Sequence, residues 1–294
     1  MSPVHIPVLQ KEVLNLLNPK ANENFVDCTI GEGGHAFAIL ERILPDGKLL
    51  GIDWTRELIE SLMAKAGSLS KNLILVCDNF ANLKNIVERQ GLGQVSGVLF
   101  DLGLSSWHLE KSGRGFSFSR DEPLDMRFQG GVTAQEIVNW WPQKELERML
   151  KEYGEERFAK RIANEIVRSR EEEPITSTLQ LVSIVERAVP YWYQKRRIHP
   201  ATKTFQALRI AVNDELNNLG RALPQAIEVL KPGGRLVVIS FHSLEDRIVK
   251  NFLRENSRKG LLKVLTKKPV KPSAEEVKVN PRSRSARLRA AVKT

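Results

Sequence analysis

The chain has 294 residues, 41% hydrophobic and 27% charged, with a formal net charge of +10. That is an ordinary globular composition with a sizeable core, enough for one large domain or two moderate ones. No apolar run approaches the ~20 residues that span a bilayer, and the N-terminus lacks the regions of a signal peptide, so a cytoplasmic protein with no membrane role is expected.

Taken in chain order, residues 7–17 carry apolar residues at helical spacing and predict a short amphipathic helix. Phe25 and Val26 then begin a buried strand that ends at Asp27. A turn containing Gly31, Gly33 and Gly34 follows, and a helix is predicted over 36–44. Glycines permit positive φ and close approach of a ligand, and the helix start behind them offers unpaired N–H groups. The second strand, 48–53, ends in Asp53 about twenty residues later, the spacing at which a carboxylate can reach a ribose. Thr55 reads as an N-cap for a helix through Ala66. A third strand over 73–77, a helix to Gln90 and a fourth strand over 95–100 complete a regular alternation of short apolar strands and helices. Strands buried on both faces of a parallel sheet have that character. This much predicts a nucleoside-containing cofactor at the carboxyl edge of the sheet, without saying which one.

The rhythm breaks at residues 102–130, a loop rich in Gly, Ser, Arg and Asp, long enough to expect a function for it. Thr133 and Glu136 form a capping box. Helices are predicted at 134–140, 143–152, 155–171 and 177–188, a helical insertion of the sheet domain. The alternation resumes with a helical stripe at Phe205, Leu208, Val212, Leu216 and Leu219. A turn at 231–234, a fifth strand over 235–241 and a helix capped by Ser243 and Asp246 follow. Residues 261–266 and 286–292 are candidate strands. The expected division is 1–104 with 200–294 for the sheet domain, and 105–199 for the loop and insertion.

Four successive strands end in an acid: Asp27, Asp53, Asp78 and Asp101. One such Asp is commonly a helix cap; acids on the first and fourth strands together would flank an ammonium or sulfonium group. Phe80 fits either a ring against a purine or a core aromatic. Cys28 and Cys77 lie in apolar runs and are expected reduced. The five histidines have no metal-ligand spacing, so no metal site is expected. From Asn256 onward there are twelve Lys or Arg and two acids, so the whole excess of positive charge sits in this last stretch. A basic tail on a neutral body suits a polyanion, with nucleic acid the leading candidate and a merely solvated tail the other reading. Trp107, Phe116 and Phe118, with Arg114 and Arg120, suit either stacking on a single-stranded base or a small core that folds the loop. The segment 191–197, Tyr-Trp-Tyr-Gln-Lys-Arg-Arg, has the same character.

Several longer stretches carry a family resemblance. They are His5-Ile-Pro-Val-Leu9, Val26-Asp-Cys-Thr-Ile-Gly-Glu-Gly-Gly-His35, Asn79-Phe-Ala-Asn82, Asp101-Leu-Gly-Leu-Ser-Ser106, Arg114-Gly-Phe-Ser-Phe118 and Pro123-Leu-Asp-Met-Arg127. The block from His199 to Leu216, Ile239-Ser-Phe-His-Ser-Leu-Glu-Asp-Arg247 and Arg282-Ser-Arg-Ser-Ala-Arg-Leu-Arg289 complete the set. With these the chain resembles the bacterial methyltransferases that act on 16S ribosomal RNA at the N4 of a decoding-region cytidine (small-subunit methyltransferase H). The resemblance implies an α/β fold: a class I methyltransferase, Rossmann-like, mostly parallel sheet with an inserted helical domain that helps recognise RNA. It implies S-adenosylmethionine as cofactor, held by Gly33, Gly34, His35, Asp53, Phe80, Asp101 and the position of His108. It places the substrate at Ser105, Ser106, Arg114, His199 and Thr202, with Asp101 reaching both cofactor and target. The implied partner is 16S rRNA within the small ribosomal subunit, and the oligomeric state, a homodimer included, stays open. The sequence departs from the family at Trp107-His108, usually Pro-Gln, and at Glu122, usually Gly.

Methylation of cytosine at C5 needs a cysteine nucleophile, and neither cysteine lies on a loop at the fourth strand, which favours transfer to N or O. Two other readings share parts of the pattern. One is a non-catalytic RNA-binding assembly factor; the other is an NAD-dependent dehydrogenase, for which no hydride-transfer constellation is present.

Overall fold

The computed structural model describes residues 6–294, the Ser68 side chain excepted. His5, the first residue of the family motifs, lies outside the described residues. Contacts divide the chain into two compact units, one running through Gly103 and resuming at Leu216–Thr294, the other Leu104–Glu215.

The first unit is built on a seven-stranded sheet of β1 (Phe25–Asp27), β2 (Leu49–Asp53), β3 (Leu73–Cys77), β4 (Val95–Asp101), β5 (Leu230–Ser240), β6 (Leu262–Val264) and β7 (Arg287–Lys293). The order is β3-β2-β1-β4-β5-β7-β6, with β1 to β5 parallel and β7 antiparallel to both β5 and β6. Along β4, Val98 and Phe100 enter one apolar layer, while Leu99 enters the other. Both layers are apolar, so the strands show no polar alternation, as the sequence suggested. The order reverses at β1 and β4, and in open α/β sheets ligands sit beyond the carboxyl ends at such a point. Both Asp27 and Asp101 are there.

Three expectations are corrected. The turn at 231–234 is not a break before the fifth strand. It bulges from within β5: Leu230 pairs with Val95, and pairing resumes at Arg235 with Gly97. The cap after β5 is His242 with Glu245, not Ser243 with Asp246, and Asp246 instead receives hydrogen bonds from Arg289 (2.7 Å) and Arg287 (3.2 Å). The basic stretch is no loose tail. Its residues supply β6 and β7, as the candidate strands at 261–266 and 286–292 anticipated, the buried Arg289 pairs with Asp246, and Lys293 Nζ donates to the carbonyls of Ile227 and Leu230. Lys263, Lys267, Lys268, Lys271, Lys278 and Arg284 remain exposed.

The second unit is helical: Ala134–Trp140, Gln143–Glu152, Ala159–Glu172, Thr178–Ala188, Tyr191–Gln194 and Thr202–Asn213. The sequence-based division ended it at 199; in the structure the 202–213 helix packs here, because Phe205, Ala207 and Leu208 complete this core. The long loop is less irregular than its composition suggests. It holds a short helix, Ser106–Glu110, and sends Phe116, Leu124 and Met126 into the same core. Among the described residues no helix is long and apolar enough to cross a membrane.

Candidate active site

The ends of β1, β2 and β4 are tied together by side chains. Asp27 Oδ1 accepts from the Thr29 N–H (3.1 Å), and the Thr29 hydroxyl oxygen accepts from the Asp101 N–H (2.6 Å). Asp53 accepts the N–H of Gly31 on one oxygen (3.0 Å) and that of Thr55 on the other (2.8 Å). The Asp53 carboxylate therefore fixes the glycine turn, and whatever it offers a ligand comes from its remaining lone pairs. The turn needs its glycines for two distinct reasons. Gly33 sits at φ +88, and a Cβ there would meet Leu62 and Phe37 at 2.7 Å; a Cβ on Gly34 would lie 2.4 Å from Pro7. Close packing within the protein thus explains both.

Gly33 leads into the Gly34–Ile43 helix, whose first turn places His35 Nε2 3.5 Å from Asp101 Oδ2, an ion-pair distance rather than a hydrogen bond. Neither ring nitrogen of His35 nor Asp101 Oδ1 has a hydrogen-bond partner, although all three atoms are buried. Buried polar atoms are almost always partnered, so this is where a ligand's polar groups fit. Phe80 is half-buried and packs edge-on to Phe100, centroids 5.6 Å apart.

Charge concentrates at the same place. Burial pushes the Asp27 carboxyl up to about 7; His35 works against this, while Asp101 and Asp53 add to it. Burial also raises Asp53, to about 6, opposed by the N–H groups of Thr55 and Gly31. For His35 burial works downward, but the Asp101 carboxylate, then Asp27 and Glu276, outweigh it and the imidazole is raised. Three acids and a histidine whose imidazole they raise thus lie together at the ends of the strands. Glu276 comes from far along the chain and also accepts the Leu9 N–H (2.8 Å). Cys28 is buried and Cys77 half-buried, and both are free thiols.

The remaining expected site residues belong to the helical unit. Ser105 caps the 106–110 helix, and its hydroxyl lies 2.8 Å from His108 Nδ1. The His108 ring is buried among Trp107, Phe116 and Phe128, with centroids 5.0–5.4 Å away. Burial, then the charges of Arg114 and Arg209, lower His108 to about 3, so the imidazole is neutral. Arg114 stands over Trp107 and donates to the carbonyls of Arg127 and Phe128. These contacts favour the small-core reading of the loop aromatics. Ser106 is half-buried. His199 is exposed, lies tilted against Phe118 with ring centroids 4.9 Å apart and is 3.4 Å from Glu186, and its carbonyl accepts the Thr202 N–H.

Two further residues hold this loop and were not expected. Met126 adopts φ +59, unusual for a side chain with a Cβ. The buried Asn213 clamps it, donating to the Met126 carbonyl (2.8 Å) and accepting the Phe128 N–H (2.9 Å). Glu122, one of the departures from the family pattern, accepts the Gly115 N–H (2.9 Å) and donates its own N–H to Thr178. An acid is thus built into the loop's fold at that position.

The family model for the MraW methylase family matches residues 2–294. The chain belongs to this family. It is 46% identical to the ribosomal RNA small subunit methyltransferase H of Heliobacterium mobile, over 98% of both chains. It is 48% identical to the protein of the same name in Geotalea uraniireducens, again over 98% of both. A solved structure, a putative rRNA-methylase from Clostridium thermocellum, has the same fold: TM-score 0.50 at 13% identity, covering 99% of this chain and 100% of that one. The sheet is the class I methyltransferase sheet expected from the sequence. The cofactor of this methylase family is S-adenosylmethionine. The residues present suit it. The acids of β1 and β4 match its ammonium and sulfonium charges, and the unpartnered ring nitrogens of His35 match a carboxylate.

Proposed function

We propose that this methylase transfers a methyl group from S-adenosylmethionine to the N4 amino group of a cytidine in the decoding region of 16S rRNA. The observation that carries the reading is end-to-end identity of 46–48% with proteins named for small-subunit rRNA methylation. When bound, the cofactor supplies an electrophilic methyl group on a sulfonium.

The chain's own residues supply position and electrostatics. Asp27 and Asp101 face the cofactor's cationic groups, and His35, raised by the Asp101 carboxylate beside it, faces its carboxylate. Asp53 takes the ribose, Phe80 lies along the base, and Gly33 and Gly34 shape the wall behind them. The cytosine amino group is a poor nucleophile because its lone pair is delocalised into the ring. Asp101 Oδ1, buried and unpartnered, accepts a hydrogen bond from that amino group and favours a more pyramidal nitrogen. Transfer to C5 would need a thiol at the base; Cys28, buried and with its thiol raised further by burial, is a poor candidate. The helical unit, Leu104–Glu215, forms the RNA-recognising part, with Ser105, Ser106, Arg114, His199 and Thr202 toward the substrate. His108, neutral and held by the Ser105 hydroxyl, stands at the position expected for a further cofactor contact.

The experiment is methylation of small ribosomal subunits from a strain lacking the enzyme, with mass-spectrometric mapping of the product. A methyl group on N4 of one decoding-region cytidine is expected. Methylation at another position, or none with the cofactor bound, overturns the reading.

A further inference from the structure

The helical unit carries a second cluster with no part in the site above. Segments 157–161 and 191–198 together hold six Lys or Arg and no acid. Between these cations lie large rings. Arg157 stands 5.8 Å from the centroid of Phe158 and 5.7 Å from that of Trp192, and Lys195 Nζ is 4.9 Å from the centroid of Tyr191. Phe158 and Trp192 meet edge-to-face at 5.9 Å. Tyr191 is 70% exposed and Trp192 54%. A cation over an exposed ring contributes only ~0.5–1 kcal/mol, which does not account for two large rings left exposed to water.

The cluster is held from beneath. Tyr193, buried behind Trp192, donates its hydroxyl to Glu156 Oε2 (2.7 Å). The other oxygen of that buried carboxylate accepts the Phe158 N–H (2.8 Å). One carboxylate therefore fixes both segments, so the exposed rings sit on a rigid base. An apolar protein partner would have to bury six cations without counter-charge. A flexible polyanion with flat faces at regular intervals answers both the charge and the rings, and single-stranded nucleic acid is such a molecule.

We propose that Trp192 and Tyr191, with Arg157 and Lys195 over their rings, form a platform that stacks unpaired bases of the RNA substrate while the surrounding cations hold its phosphates. The inference rests on the proposed rRNA substrate and adds a second point of attachment on the helical unit, specific for unpaired RNA.

The probe is a labelled twelve-nucleotide oligouridine, with an RNA duplex of equal length for comparison, bound to the full chain and followed by anisotropy at several salt concentrations. Trp192→Ala should weaken oligouridine binding by roughly 5- to 150-fold, the range for losing one base–aromatic stack, and Trp192→Phe should recover most of it. Arg157→Gln should flatten the log–log salt dependence by about 0.7, one phosphate contact on a single strand. S-adenosylmethionine affinity should stay unchanged, and for small subunits KM should rise with kcat held. Unchanged oligouridine affinity in both Trp192→Ala and Arg157→Gln overturns the platform, as does wild-type protein that binds no oligouridine or prefers the duplex. Should Trp192→Ala fail to fold by circular dichroism, Arg157→Gln decides alone. Failure of the rRNA reading shows separately, as wild-type protein that adds no methyl group to subunits.

Discussion

Asp27 is the most deeply buried acid of the site, 2% exposed, with its carboxyl pushed up to about 7 from an ordinary 3.8. Such a shift is also a statement about stability. Between the two values the unfolded chain has released the proton and the folded chain has not. A raised carboxylate therefore makes stability fall as pH rises through that window. From pH 5 to pH 7 the loss is ~1.4 kcal/mol per unit, about 2–3 kcal/mol in all. Asp27→Asn removes the titration and keeps an oxygen to accept the Thr29 N–H. We therefore expect the variant to gain on the wild type by about 2–3 kcal/mol more at pH 8 than at pH 5. The measurement is denaturant unfolding of both proteins, without cofactor, at the two pH values. Taking the difference cancels groups that titrate alike in both. A gap that does not change with pH, or that narrows as pH rises, refutes the reasoning.

The same carboxyl should make cofactor binding pH-dependent. A cationic ligand favours ionised Asp27, so S-adenosylmethionine affinity should fall below about pH 7, by at most roughly ten-fold per unit, and binding should release a proton; calorimetry in buffers of different ionisation enthalpy reads both. Asp101→Asn should lower kcat on the order of a hundred-fold, the usual scale for losing one oriented polar group, and single-turnover kinetics with subunits checks it; full turnover with full cofactor affinity would remove Asp101 from the chemistry. Asn213→Ala strands the Met126 carbonyl and the Phe128 N–H and should cost about 2–4 kcal/mol, seen as a lower denaturation midpoint, with the KM for subunits raised. Arg289→Leu leaves the buried Asp246 with the half-exposed Arg287 for a partner and should cost about 3–5 kcal/mol; the loss should shrink at acid pH, because burial opposes and Arg289 then Arg287 lower the Asp246 carboxyl, and that benefit disappears as pH falls through the lowered value.

Much of the sheet unit could be read in advance because its strands are buried on both faces. Phe25, Leu49, Val98 and their neighbours then form unbroken apolar runs bounded by glycine or an acid. The strand-end acids were visible for the same reason, since polarity there interrupts an otherwise apolar stretch. What could not be read depends on partners distant in the chain. Glu276 approaches His35 across 241 residues of sequence (276 − 35). Asn213 clamps Met126 from a helix whose apolar stripe gave no hint of a polar task. In the basic stretch the two candidate strands were legible from their apolar residues and hold as β6 and β7, but charge counting alone made the stretch look like a tail and gave no sign that Arg289 is buried against Asp246. That His108 is buried among three aromatic rings could not be read either, because it is a property of the folded loop.

The place of β7 bears on how the protein can be made. β7 lies between β5 and β6, and among the described residues β6 pairs with no other strand. β1 to β4 leave the ribosome first, the whole helical unit follows, and the sheet cannot close until residue 293 has been synthesised. The continuous 104–215 stretch can fold while translation goes on, in the order usual for successive domains. The sheet's first half meanwhile waits with β4 exposed along one side, an unpaired edge of the kind that invites aggregation. Ribosomes stalled just short of the last strand should therefore hold a folded helical unit beside an unfinished, chaperone-dependent sheet.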